Sequence, residues 1–393
     1  MALYEDIVLV GAYLDDDNGS DAGAVYVFEY NGTNWVQTDK LLADDGQPGD
    51  YFGYSVALSG STALIGAYLN DDNGSNAGAA YVFEFDGVSW EQEVKLLAND
   101  GAVGDRFGIS VAYSDNVALV GALEDDTSGI NSGSAYVFRR TGVYWVQEAY
   151  LVPPGNSAYD KFGRATVVTA DTAVFSSRQA DTALVFRFDG DNWVEEAQLQ
   201  PSGSGGRFGC SMSMRDDTLV VGAEQNTNVN GQYAGAAHVF RYLGGTWVEQ
   251  AKFLASEGAQ SDSFGYSVGL SAGTAIIGAN GDDDEGFNAG SAYVFHGISD
   301  CNDNGTLDIC DISDGTSPDA DVDGFPDDCE IPGDLNCDSN VDLLDIPPFV
   351  QALLDPTGYV VSHTDCHLYN ADTNSDGIIN GNDVQAFVGL LVP

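Results

Sequence analysis

The residues best suited to do chemistry lie in the last quarter of the chain. A calcium loop needs oxygen side chains at positions 1, 3, 5, 9 and 12, a backbone carbonyl at 7, and usually a glycine at 6. Four windows meet that pattern. DCNDNGTLDICD supplies Asp300, Asn302, Asn304, Asp308 and Asp311, and DADVDGFPDDCE supplies Asp319, Asp321, Asp323, Asp327 and Glu330. DLNCDSNVDLLD supplies Asp334, Asn336, Asp338, Asp342 and Asp345, with Ser339 in the glycine place. DTNSDGIINGND supplies Asp372, Asn374, Asp376, Asn380 and Asp383. Four windows in one register, each filling every side-chain position, predict Ca2+ as the bound cofactor.

Charge placement supports this. Of 61 acidic residues, 20 fall between 300 and 393 without a single Lys or Arg, while residues 1–299 hold the other 41 and all 13 bases. That shift sets a domain boundary near residue 299. Carboxylates packed this densely repel one another without a cation, so calcium is expected to fold the tail. A net charge of −48 excludes nucleic acid and anionic membrane surfaces as partners, since both need a positive footprint. No apolar run is long enough to span a bilayer.

The elements that position the last two loops are apolar stretches that follow them, IPPFVQALL (346–354) and VQAFVGLLV (384–392), aligned at an offset of 38. Helical spacing predicts that Phe349 meets Phe387 and Val350 meets Val388 in a shared small core. Pro347 and Pro348 fit a helix's first turn. The duplicated loop–helix unit over 333–393 resembles the dockerin module, an EF-hand-like fold. The resemblance implies two calcium ions, one per loop, and a cohesin-type protein partner. Positions 10 and 11, through which dockerins usually read that partner, are Leu343-Leu344 and Gly381-Asn382, so a symmetric two-way mode is not expected. The loops of 299–332 are followed by no predicted helix and resemble thrombospondin type 3 calcium repeats.

Five of six cysteines (301, 310, 329, 337, 366) cluster in this tail, which suggests disulfides and an oxidising compartment. Cys337 with Cys366 is the expected bridge, while Cys301, Cys310 and Cys329 leave their pairing open. Cys210 reads as a buried thiol. His238 and His296 hold strand-type positions.

Residues 1–298 are a repeat. Phe-Gly pairs at 52, 107, 162, 208 and 264, Gly-Ala pairs at 11, 66, 121, 222 and 278, and all five Trp share a period of about 55 residues. Within one period FGYSVAL, TALIGA, AAYVFEF and WEQEVKLL read as strands joined by turns. Four antiparallel strands per period predict a β-propeller blade. Six Gly-Ala-type strands against five Phe-Gly and five Trp strands predict about six blades with two strands missing at the seam; a seven-bladed ring cut short is the alternative. The fold class is therefore mainly β, a propeller followed by a small α-helical calcium-binding domain. Gly-Ala is expected to let strands crowd near the axis, with Phe and Trp filling space between blades.

The Phe-Gly, turn, Gly-Ala, YVF pattern resembles the FG-GAP repeat of integrin α propellers and bacterial surface proteins, over about 7–296. The integrin calcium loop has no counterpart, because SGST, SDN or SAGT joins those two strands here. The acidic loops one connection later, such as YLNDDNGSNAG (68–78), lack alternate spacing. They read as turns built on Asp21, Asn76, Asn131 and Asn288.

Departures from the repeat at Ser176, Ser177, Arg178, Gln179, Glu224 and Gln225 form no recognisable catalytic set and read as decay, so no catalytic residue is assigned. The expected function is an extracellular, non-catalytic, calcium-binding adhesion protein. Its propeller would bind a protein or glycan, and its tail would tether it. The alternative is a polysaccharide-active enzyme with its site in the propeller channel. The chain starts inside a repeat, so a secretion signal is expected to precede it.

Overall fold

The structure is a computed structural model. It describes the chain except residues 178, 272, 285, 287, 299–305, 318–331, 337–339, 364–367, 375–377 and 392–393. The chain forms two compact units: residues 1–269 with 277–293, and residues 270–276 with 294–393.

Six sheets, each an antiparallel meander, are the blades of a β-propeller. In the second blade the strands are Ser55–Ser59, Thr62–Ala67, Ala79–Phe85 and Trp90–Leu96. Five sheets have four strands; the sixth, from Phe264–Ser271, Thr274–Ala279 and Ser291–Phe295, has three among the described residues. Of the two strands expected to be missing at the seam, one is found, and the other is not seen among the described residues. Ala2–Tyr4 pairs with Ile7–Ala12 as the first strand of blade one without carrying a Phe-Gly.

First strands of blades one to five pack side by side in order. A Cβ on Gly66 would lie 2.0 Å from the Gly108 carbonyl oxygen of the next blade, and Gly11, Gly121 and Gly222 stand in the same relation to Gly53, Gly163 and Gly265. Glycine is therefore required by close approach. The approach is fastened by a serine: Ser55 Oγ donates to Gly108 O at 2.8 Å, Ser110 to Gly163 at 2.8 Å, Ser211 to Gly265 at 2.9 Å. Blade four exchanges the pair, with Ala165 for the serine and Ser176 for the glycine, and Ser176 Oγ accepts from Ala165 N at 3.0 Å.

Phe52 is fully buried in a cluster that spans two blades, with Leu9, Val27, Ile65 and Tyr81. Each such phenylalanine contributes about 1.5–3 kcal/mol by burial. The tryptophans add a polar clamp between blades. Trp145, Trp193 and Trp247 donate Nε1 to Glu93, Glu148 and Glu196 of the preceding blade at 3.2, 2.8 and 3.1 Å. Arg140, Arg139 and Arg187 hold those carboxylates. Blade one carries Thr38 in that place, and Trp90 Nε1 is buried without a hydrogen-bond partner.

The second unit contains helices α1 (Asp308–Asp314), α2 (Ile346–Leu354), α3 (Pro356–Ser362) and α4 (Asp383–Leu391). α1 departs from expectation, since it is a helix begun by loop one's own residues. Phe349 and Phe387 stack at 3.9 Å, both buried, with Leu335, Ala352 and Tyr359. Val350 and Val388 are exposed instead. One position beyond Phe on a helix turns about 100° away from the core. Pro347 and Pro348 occupy the first turn of α2.

Candidate functional site

In the tail, loops three and four repeat one geometry around their twelfth residue. Asp345 Oδ1 accepts from Leu335 N at 2.8 Å and Asn336 N at 3.0 Å, and its Oδ2 from Asp342 N at 2.7 Å. Asp383 Oδ1 accepts from Asn374 N at 3.4 Å and Oδ2 from Asn380 N at 2.8 Å. Asp334, Asp345, Asp372 and Asp383 are buried, as are Asp308 and Asp311 in α1. Asn336 and Asn380 are half-buried, and Asp342 and Asn374 exposed.

Asp300, Asn302, Asn304, Asp319, Asp321, Asp323, Asp327, Glu330, Asp338 and Asp376 lie outside the described residues, as do Cys301, Cys329, Cys337 and Cys366, so the expected bridge is not placed. Among the described residues no three His, Cys, Asp or Glu side chains are grouped to hold a metal. The donor set nonetheless fits a hard cation. It is all oxygen, six of its carboxylates (Asp308, Asp311, Asp334, Asp345, Asp372 and Asp383) are buried, and the tail's sequence offers no Lys or Arg to compensate them.

The acidic propeller loops are occupied by their own fold. In YLNDDNGSNAG the Asn70 amide donates to Asp50 at 3.0 Å, Asn73 donates to Ala98 O at 2.8 Å, and Asp71 accepts from Asn76 N at 2.7 Å. Asp72 pairs with Lys95. Asp21, Asn76, Asn131 and Asn288 all have φ between 49° and 55°, which is the left-handed turn expected for Asn and Asp. The same turn sets up the next blade, where Phe107 N donates to Ala77 O at 2.8 Å.

Blade three differs. Asp125 replaces Asn70, Tyr150 replaces Lys95, and Asp105 stands where blade two has Asp50. Burial, with repulsion from Asp125 added, pushes the Asp105 carboxyl up to about 6 against the pull of the Ala102 N–H.

Glu224 and Gln225, which read as decay in the sequence, gather with residues of other blades at one end of the axis, while Arg178 lies outside the described residues. Three positions of the repeat meet there: the residue before Phe-Gly, the residue after it, and the residue after Gly-Ala. In blades one and two they are Tyr13, Tyr51, Tyr54 and Tyr68, with ring centroids 4.5–5.7 Å apart. Arg106 lies over Tyr68 at 5.9 Å and pairs with Glu124 at 3.1 Å, which Lys161 also meets at 3.4 Å.

Farther round, Arg207 pairs with Glu224 at 3.0 Å. Arg164, Arg207, Glu224, Gln225, Tyr266 and Asn280 line a cavity of about 470 Å3, with Cys210 and Ser263. Cys210 is half-buried there, its thiol donating to Gly265 O at 3.2 Å, rather than enclosed in the core as expected. The signal that would have found this mouth is the common phase of these residues, each separated by tens of positions in the chain.

Known proteins place the propeller. The FG-GAP repeat matches residues 1–28, 35–83, 90–138, 193–240 and 247–295, more than half of the chain. The unmatched stretch holds most of blade four, where the Ser176 and Ala165 exchange occurs. A functionally unknown protein from Desulfotomaculum acetoxidans DSM 771 has a crystal structure that aligns with TM-score 0.50 at 12% identity, covering 75% of this chain and 80% of that one. It supports the fold alone. No curated protein matches the chain. No described helix is long and apolar enough to cross a membrane. With its repeats matched over most of the propeller, this chain belongs to the FG-GAP repeat family.

Proposed function

We propose that the chain is an extracellular, non-catalytic interaction protein whose propeller presents a binding face and whose calcium-loaded, dockerin-like tail tethers it to a cohesin-type protein. The observation that carries this reading is the segregation of roles in the propeller. Residues that hold blades together recur, while residues that differ from blade to blade gather at one mouth. Among the described residues that mouth holds two carboxylates, Glu124 and Glu224, and each is tied into ion pairs. That favours binding over acid–base chemistry.

For the tail, support comes from the doubled geometry at Asp345 and Asp383 and from apolar residues left in solvent. Leu343, Leu344 and Leu354 are 71%, 65% and 81% exposed. Exposed apolar groups clustered along one short segment suit a protein partner. Calcium supplies the counter-charge that orders the loops; the chain's own carboxylates and amides position them.

The test is capture of extracellular proteins by the immobilised full chain. A cohesin-type protein should be retained in calcium, released by EGTA, and lost with Leu343→Asp/Leu344→Asp. Retention indifferent to both changes contradicts the tethering role.

A further inference from the structure

We propose that the cavity between blades four, five and six binds an acidic sugar, a uronate residue of a short oligosaccharide, with Arg164 taking its carboxylate. The inference rests on the reading of the propeller as the binding unit and names the ligand class of its mouth.

Charge gives the first argument. The chain carries 13 bases against 61 acids, yet Arg106, Lys161, Arg164 and Arg207 converge on this mouth. Glu124 engages Arg106 and Lys161, and Glu224 engages Arg207. Arg164 makes no hydrogen bond or ion pair among the described residues. A guanidinium fork matches a carboxylate in plane and charge, and an unpaired one in a cavity wall is a ready anion receptor.

The lining gives the second. A volume of about 470 Å3 lies in the range of small-ligand pockets. Its walls offer guanidinium, carboxylate, amide and hydroxyl groups and the exposed ring of Tyr266, with no aliphatic side chain. Protein partners anchor through apolar or aromatic side chains seated in fully desolvated pockets, and this pocket is too polar for that. A ring bearing several hydroxyls and one carboxylate uses what the walls present. The tyrosine rim at Tyr13, Tyr51, Tyr54 and Tyr68 adds flat apolar faces for neighbouring sugar units.

The surrounding field then limits ligand length. A net charge of −48 repels a long polyanion, whereas contact at the mouth acts within a Debye length of about 8 Å at physiological salt. Short oligouronates should bind better than the polymer at low ionic strength, and added salt should narrow that gap.

The test is calorimetric titration of the full chain at fixed free calcium with trigalacturonate, neutral galactotriose and hexa-aspartate. Trigalacturonate should bind and galactotriose should not. Arg164→Gln should weaken binding about tenfold or more, as loss of a charge-assisted contact does. Arg164→Lys should restore part of it, and Tyr266→Ser should weaken it independently. Arg215→Gln, which removes a base at the opposite end of a first strand, should change nothing. Equal binding of the neutral sugar, equal or tighter binding of hexa-aspartate, an indifferent Arg164→Gln, or no uronate binding overturns the proposal. Calcium-dependent capture of a tail partner without uronate binding would sink only this inference and leave the tethering role standing.

Discussion

The propeller and the tail are both strongly acidic, and they deal with acid in opposite ways. In the propeller each critical carboxylate has a protein partner. Lys40 meets Asp15 at 2.9 Å, Lys95 meets Asp45 at 2.9 Å, and three arginines hold the carboxylates that the tryptophans touch. In the tail, buried carboxylates accept backbone N–H groups, and no Lys or Arg exists in that part of the sequence to compensate them. A fold that neutralises its own acids stands without help from solvent. One that does not would, on the proposed reading, depend on a cation from outside.

The largest effect expected from this contrast is local to the tail. Asp345→Ala strips a carboxylate from three backbone donors, a loss of about 3 kcal/mol or more given the strength of charged hydrogen bonds. It should unfold the tail while the propeller's melting stays put, as read by calorimetry of the full chain. A propeller transition that moved with it would break the separation.

Next in size is the reverse experiment. Gly66→Ala drives a Cβ against the Gly108 carbonyl and should destabilise the propeller by about 3 kcal/mol, with calcium affinity of the tail unchanged. A propeller that melts as wild type would mean that close approach between blades is not what the repeated glycine provides.

A smaller effect sharpens the charge argument inside the propeller. Burial raises the Asp105 carboxyl to about 6, so the fold favours its protonated form. Its contribution is complete below about pH 4 and is lost as pH rises through about 6. Asp105→Asn should therefore gain on the wild type by on the order of 1 kcal/mol between pH 5 and 7.5. A constant difference over that range would show the carboxyl to be unperturbed.

The smallest change is a gain. Thr38→Gln should offer Trp90 Nε1 the acceptor that other blades supply, without adding charge beside Glu29, and stabilise the propeller by about 0.5–1 kcal/mol. No gain in melting temperature would mean that the orphaned indole is satisfied by solvent.

Much of this was legible in the residues themselves. Period, strands and the Phe349–Phe387 stack follow from spacing, because apolar periodicity reports directly on what is buried. The turn nature of the acidic loops followed from consecutive rather than alternate acids, and the positive φ at Asn76 agrees.

The mouth was not legible in the same way. Arg164, Arg207 and Glu224 meet only because a propeller brings equivalent positions to one axis, and each alone looks like a departure from consensus. α1 escaped notice because Asp308 and Asp311 were read only as ligands, although an acid in a first helical turn also favours a helix. Val350 was misassigned by taking an aligned apolar pair for a buried one.

The most direct test is hydrogen exchange on the full chain in millimolar calcium and in EGTA, resolved by peptide. Loss of protection in 332–391 with protection in 1–293 unchanged is the predicted result. Tail amides equally protected in EGTA, or propeller amides lost along with them, would contradict the claim that only the tail takes its counter-charge from calcium.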